Sequence, residues 1–186
     1  MNRLNLGIGR VLLALCTVSL LGGPAIGQSE LERIVDEGQM SWLVGRWTAA
    51  TDEGQTIELA YRWQLDKNMI SVYFKMGGYA YQGMIFCVPG QEKVIEVGVD
   101  NKGSTVNCEW DVTWDGAVSK REVSQGNGQK ESMAMATSKI DKDTMKVRLY
   151  AMEYGNLAGD PWAALQFKRQ PVQRSGGRQS TGTDEK

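Results

Sequence analysis

The chain has 186 residues, 21 basic and 22 acidic, and contains no histidine. That composition excludes a Ser–His–Asp triad, a Cys–His pair, a histidine zinc site and a histidine-ligated haem. The near-neutral charge gives no electrostatic footprint for nucleic acid.

The first element in chain order is an export signal over residues 1–27. Arg3 and Arg10 form a positive start with no acidic residue, Val11 to Leu21 is an almost unbroken apolar run, and Ala25-Ile26-Gly27 supplies small residues before Gln28. Charged start, apolar stretch and small-residue end are the order of a secretory signal. The run is short for a bilayer-crossing helix, which needs about 20 residues. Cys16 lies within the run, after Leu15 and not after a small residue, so it does not read as a lipid-attachment site. Removing two arginines from the 21 basic residues leaves 19 against 22 acidic, a net of −3. The remainder therefore carries no polybasic membrane patch. The expectation is an exported chain, periplasmic or extracellular, with no membrane span after cleavage. Residues 28–169 form one domain, and the apolar-poor segment 170–186 reads as a disordered tail.

A short helix is expected over Ser29 to Gly38. Ser29 and Glu32 have capping-box spacing, Leu31, Ile34 and Val35 share a face, and Gly38 fits a left-handed stop. From Trp47 the apolar pattern changes to period two, with turn residues every 8 to 12 positions. Strands are expected near 45–50, 55–63, 68–76, 80–88, 92–100, 103–114, 117–124, 130–140, 145–154 and 162–169. All loops are short, which dictates antiparallel neighbours, and a meander this long removes its edges by closing. The fold expected is all-β, a roughly ten-stranded antiparallel up-and-down barrel with one N-terminal helix.

Asp115-Gly116 reads as a two-residue hairpin turn, which sets Trp114 opposite Ala117, Trp110 opposite Arg121 and Cys108 opposite Val123. The face holding Trp110 and Arg121 is otherwise mostly apolar and should point inward. An inward arginine keeps its charge and cannot stay unpaired. It stacks on Trp110, meets a carboxylate, reaches water at an open end, or holds an anionic ligand. Ile57, Leu59, Tyr61 and Trp63 share one face of their strand, as do Ile70, Val72, Phe74 and Met76 of the next. Tyr61 and Phe74 are therefore wall candidates, Tyr61 the better one because its buried hydroxyl needs a partner.

Nothing in the sequence predicts a cofactor or a metal. Asp141 and Asp143 supply too few oxygens for calcium, and the methionines read as adaptable packing. Cys87 and Cys108 fall on strands separated by one strand, about 9–10 Å apart. A disulfide usually needs about 7 Å or less, so the spacing argues against a bridge. The turns flanking Cys87 conflict. Pro89-Gly90 as a two-residue turn points Met84 and Phe86 inward, whereas Gly77-Gly78 points Tyr81, Gly83, Ile85 and Cys87 inward.

Ser41-Trp42-Leu43-Val44-Gly45-Arg46-Trp47 resembles the start of a calycin-type barrel, the group that includes lipocalins and fatty-acid-binding proteins. In that group a Gly-x-Trp opens the first strand after a short helix. Gly45 and Trp47 match it, and the resemblance implies that Lys168 or Arg169 on the last strand returns over Trp47 to close one barrel end. The span 40–169 also resembles small secreted bacterial proteins of unknown function that open with Leu-Val-Gly-x-Trp. Tyr61-Arg62-Trp63, Gly98 to Asn101 and Phe167-Lys168-Arg169 carry that likeness, which implies a lipocalin-like fold and brings no established activity.

Three functions follow from these observations. The first is a protein binding a small apolar or anionic ligand inside the barrel, with Arg121, Trp110, Tyr61 and Phe74 as the site. The second is a structural or interaction module of the cell envelope with a filled barrel. The third is an enzyme without histidine chemistry, for which no pair of groups stands out by spacing.

Overall fold

The structure, a computed structural model, describes residues 27–113 and 116–171. Most of the expected export signal, the tail beyond Pro171, and Trp114 and Asp115 lie outside the described residues.

Ten strands form one closed antiparallel barrel. They are β1 (Gly45–Ala50), β2 (Thr56–Gln64), β3 (Met69–Met76), β4 (Tyr79–Val88) and β5 (Lys93–Asp100), then β6 (Thr105–Thr113), β7 (Gly116–Ser124), β8 (Lys130–Asp141), β9 (Thr144–Glu153) and β10 (Asn156–Arg169). Each strand pairs with its neighbours in sequence, and β10 pairs with β1. Alternation decides which side chains enter. Ile57, Leu59 and Tyr61 are buried on β2, as are Ile70 and Val72 on β3, and Met145 and Val147 on β9.

Helix α1 (Glu30–Glu37) packs against the barrel with Leu31 and Val35 buried. Ser29 caps it by accepting the Glu32 N–H at 3.0 Å, and its hydroxyl donates to the Lys67 carbonyl at 2.6 Å. Glu32 pairs with Lys67, and Arg33 bridges Glu92 at 3.0 Å, so the helix is tied to the β2–β3 and β4–β5 turns. Gly38 is not the left-handed stop expected of it. Its φ is −77°, and Gln39 takes the positive φ instead. Gly38 is needed for close approach, since a Cβ there would stand 2.2 Å from Val112 Cγ1.

Three turns differ from expectation. The β6–β7 hairpin pairs Thr113 with Gly116, so Trp110 opposes Ser119 and Arg121 opposes Cys108, and the expected Trp110–Arg121 opposition does not occur. The register slips by two residues, which leaves every side chain on its expected face. Gly116 is used in the sheet and not in the turn, because a Cβ on it would meet the Thr137 carbonyl oxygen at 2.0 Å. On the outer face Glu109 pairs with Lys93 at 2.6 Å and Glu122 with Lys130 at 2.8 Å.

Gly77-Gly78 is a two-residue turn, with Met76 opposite Tyr79, whereas the β4–β5 turn spans four residues, with Val88 opposite Lys93. The conflict over β4 is settled by the phase of β5: Val94 and Glu96 are buried there, and Cys87 and Ile85 stand opposite them, so Tyr81, Gly83 and Ile85 are buried and Met84 is exposed. The expected loop from Gly155 to Pro161 is mostly strand. β10 starts at Asn156, and its register shifts between Ala158 and Ala163. Pro161 sits in that irregular stretch, where the missing N–H costs no ladder bond.

The meander's connectivity separates the two barrel ends. Helix α1 and the β2–β3, β4–β5 and β8–β9 turns lie at one end, and the β1–β2, β3–β4, β5–β6 and β7–β8 turns lie at the other.

Candidate functional site

The helix-bearing end is sealed around Trp47, which is 1% exposed. Arg169 lies opposite Trp47 in the β1–β10 register, with its guanidinium carbon 4.1 Å from the indole centroid. Its nitrogens donate to the carbonyls of Val44 at 2.9 Å, Lys142 at 3.2 Å and Trp42. Gly45 has φ +150° and makes room for it, since a Cβ would lie 2.3 Å from Arg169 Nη1. The plug thus joins both chain-terminal strands of the barrel. Gln170 extends the seam, donating its N–H to the Arg46 carbonyl at 2.8 Å. Arg169→Ala is expected to lower the unfolding free energy by about 2–4 kcal/mol, from a cation–π contact and charge-assisted hydrogen bonds. Urea denaturation measures it, and a change below ~0.5 kcal/mol would show that the plug does not hold the barrel shut.

The other end opens into a cavity of about 1080 Å³. Leu59, Tyr61, Val72, Phe74, Met133, Met135, Val147 and Leu149 are among its wall residues. Met133 and Met135 thus face inward, while Ala134 and Ala136 are buried on the opposite side of β8. At the mouth stand Asp52, Asp100, Lys102, Glu131 and Trp162. Asp100 accepts the N–H groups of Lys102 and Ser104 at 2.9 and 2.8 Å, and the Asn101 side chain bridges the neighbouring turn through Gly78 and Ala80. This side of the rim is therefore held in place by side-chain to backbone bonds.

Deep in the barrel lies a polar cluster around Glu96, whose side chain is fully buried. Tyr81 donates its hydroxyl to Oε1 at 2.8 Å, and Trp110 donates Nε1 to Oε2 at 2.9 Å. Arg121 Nη2 reaches both oxygens, at 3.3 and 3.0 Å. Register explains the convergence: Glu96, Cys108 and Arg121 stand side by side on three adjacent strands. Tyr81 approaches along the barrel across the facing pair Gly83 and Gly98. Cβ atoms there would lie 2.3 and 2.4 Å from its hydroxyl.

Burial alone would lower the proton affinity of Arg121, but Glu96 and the surrounding phenols and thiol outweigh it, and the guanidinium is held above its ordinary range. Burial, followed by the Glu96 charge, raises the Tyr61 and Tyr81 phenols well above theirs. Both remain neutral donors. Burial also pushes the Cys108 thiol up to about 12, so it is not a thiolate nucleophile at neutral pH. Cys87 and Cys108 are both free. No group of three or more metal-ligating side chains occurs among the described residues.

Of the four ligand-site residues expected from sequence, Arg121, Tyr61 and Phe74 line the cavity. Trp110 stands behind them. It meets Tyr61 edge-on at 6.5 Å between ring centroids and spends its N–H on Glu96. It therefore positions the wall without forming it. Glu96 and Tyr81 are the residues that the sequence reading missed. The signal for Glu96 was the need of an inward arginine for a carboxylate, combined with the inward phase of Val94, Glu96 and Gly98 on β5.

No protein-family model matches the chain, and no curated protein does.

Proposed function

We propose that the protein is an exported carrier that holds a small, largely apolar molecule inside a lipocalin-like barrel, and that it belongs with the small secreted bacterial proteins it resembles. One observation carries the binding reading: a barrel plugged at one end keeps an apolar-walled cavity of about 1080 Å³ open at the other. Small-molecule sites typically span about 300–1,000 Å³ and combine apolar walls with a few placed polar groups. A barrel serving only as a structural block would fill this space with side chains. Export is supported by the order of charges, apolar run and small residues over 1–27.

Native mass spectrometry of the mature chain, before and after denaturing extraction, tests the carrier. A co-purifying small molecule is the expected result. Leu149→Trp, which places an indole in the cavity, is expected to weaken apolar ligands at least about tenfold while leaving the fold intact. A chain that is always empty, and that takes up no amphiphile by calorimetry, overturns the reading.

A second reading, an interaction module, is favoured by the outer face of β3–β5, where Tyr73, Met84 and Val99 are 40%, 44% and 56% exposed. Apolar groups clustered on a surface mark contact sites more often than apolar groups scattered singly. Sedimentation at increasing concentration checks for self-association, which Met84→Lys should abolish.

A further inference from the structure

We infer that the ligand carries a neutral hydrogen-bond acceptor, a carbonyl or hydroxyl oxygen, held by Arg121 Nη1 and the Tyr61 hydroxyl, and that Glu96 turns the cavity against carboxylates. This rests on the carrier reading above and names the chemical class of its cargo.

Two donors face the cavity unspent. The Arg121 hydrogen bonds go through Nη2 to Glu96 and through Nε to Ser119 Oγ at 3.4 Å. Nη1 has no protein partner among the described residues, yet Arg121 lines the cavity with its side chain 15% exposed. The Tyr61 hydroxyl likewise has no protein partner among the described residues, and Tyr61 is 1% exposed and lines the same cavity. Buried donors of this kind need an acceptor. The cavity walls are mostly apolar, so a ligand that displaces water from these donors must bring one.

The charge of that acceptor is set by Glu96. It lies 3.0 Å from Arg121 Nη2 and already balances the guanidinium. A ligand carboxylate would place a second anion against one cation in a desolvated site, and like charges there are costly. The wall adds to this. Asp52, Asp100 and Glu131 line the cavity against Lys102 and Arg121, so with Glu96 four carboxylates face two cations. A cationic ligand head is disfavoured for a different reason: it would meet the guanidinium, which has only donors. A carbonyl or hydroxyl oxygen accepts from Nη1 and from Tyr61 without adding charge.

Calorimetric titration at pH 8 with four probes of one chain length tests this: 2-decanone, decan-1-ol, decanoate and decylammonium. The ketone and alcohol are expected to bind about tenfold or more tightly than either ion. Glu96→Gln removes the competing anion and is expected to reverse the order in favour of decanoate. Tyr61→Phe deletes a hydroxyl that bonds to no described protein group. It should weaken 2-decanone several-fold with an unchanged melting temperature, so the inference remains testable if the Glu96 variant fails to fold. Equal or tighter binding of decanoate or decylammonium by the wild type overturns the inference and leaves the carrier intact. Binding of none of the four overturns the carrier itself.

Discussion

Arg121→Met is expected to cost about 3–5 kcal/mol of stability at neutral pH, because removing one partner of a buried pair leaves the other uncompensated. Methionine fills much of the arginine's volume, so packing loss is the smaller part. Glu96 would then sit fully buried with only the Tyr81 and Trp110 donors. Two neutral hydrogen bonds do not replace a cation. Urea denaturation of both chains at neutral pH measures the deficit. A deficit below about 1 kcal/mol would mean that the charge of Glu96 is balanced by something other than Arg121.

The outline of this site could be read from the sequence, but its centre could not, and the difference is one of range. Period-two alternation is local. It placed Tyr61, Phe74 and Arg121 inside, and the structure finds all three on the cavity wall. The same alternation and the turn cadence yielded a ten-stranded closed barrel. Which inward groups touch depends on register, which turns transmit across strands. Asp115-Gly116 was read as the turn itself, whereas Gly116 begins β7 because β8 lies too close for a Cβ. The two-residue slip preserved the faces and moved Trp110 from opposite Arg121 to opposite Ser119. Glu96 was hidden behind a second ambiguity. Its phase follows only once the conflict over β4 is settled with Ile85 inward, since Ile85 stands opposite Glu96. Trp162 was missed as a cavity residue for a similar reason, since it follows an irregular stretch of β10 that sequence alternation reads as a loop.

Gly83 and Gly98 should prove as important to the site as any charged residue, and substituting them separates two kinds of crowding. Both face inward, opposite each other, beneath the Tyr81 ring. In Gly83→Ala the three atoms nearest the new methyl group, at 2.3, 2.8 and 3.1 Å, all belong to the Tyr81 phenol. The ring must swing away, and its bond to Glu96 is lost. Overpacking costs about 1–3 kcal/mol, and a buried acceptor stripped of one donor adds about 1 kcal/mol. In Gly98→Ala the methyl group also meets the Gln82 carbonyl oxygen at 2.5 Å, which belongs to the β4 backbone. Removing the ring should therefore rescue one substitution and not the other. In a Tyr81→Ala background, Gly83→Ala is expected to be nearly neutral, giving a coupling energy of about 2–3 kcal/mol. Gly98→Ala should stay destabilising there by about 1–2 kcal/mol, because a backbone oxygen cannot move aside as a side chain does. Four unfolding curves close each cycle. If neither cycle shows coupling, the tyrosine does not lie across the glycine pair, and the Glu96 cluster must be held together by Trp110 and Arg121 alone.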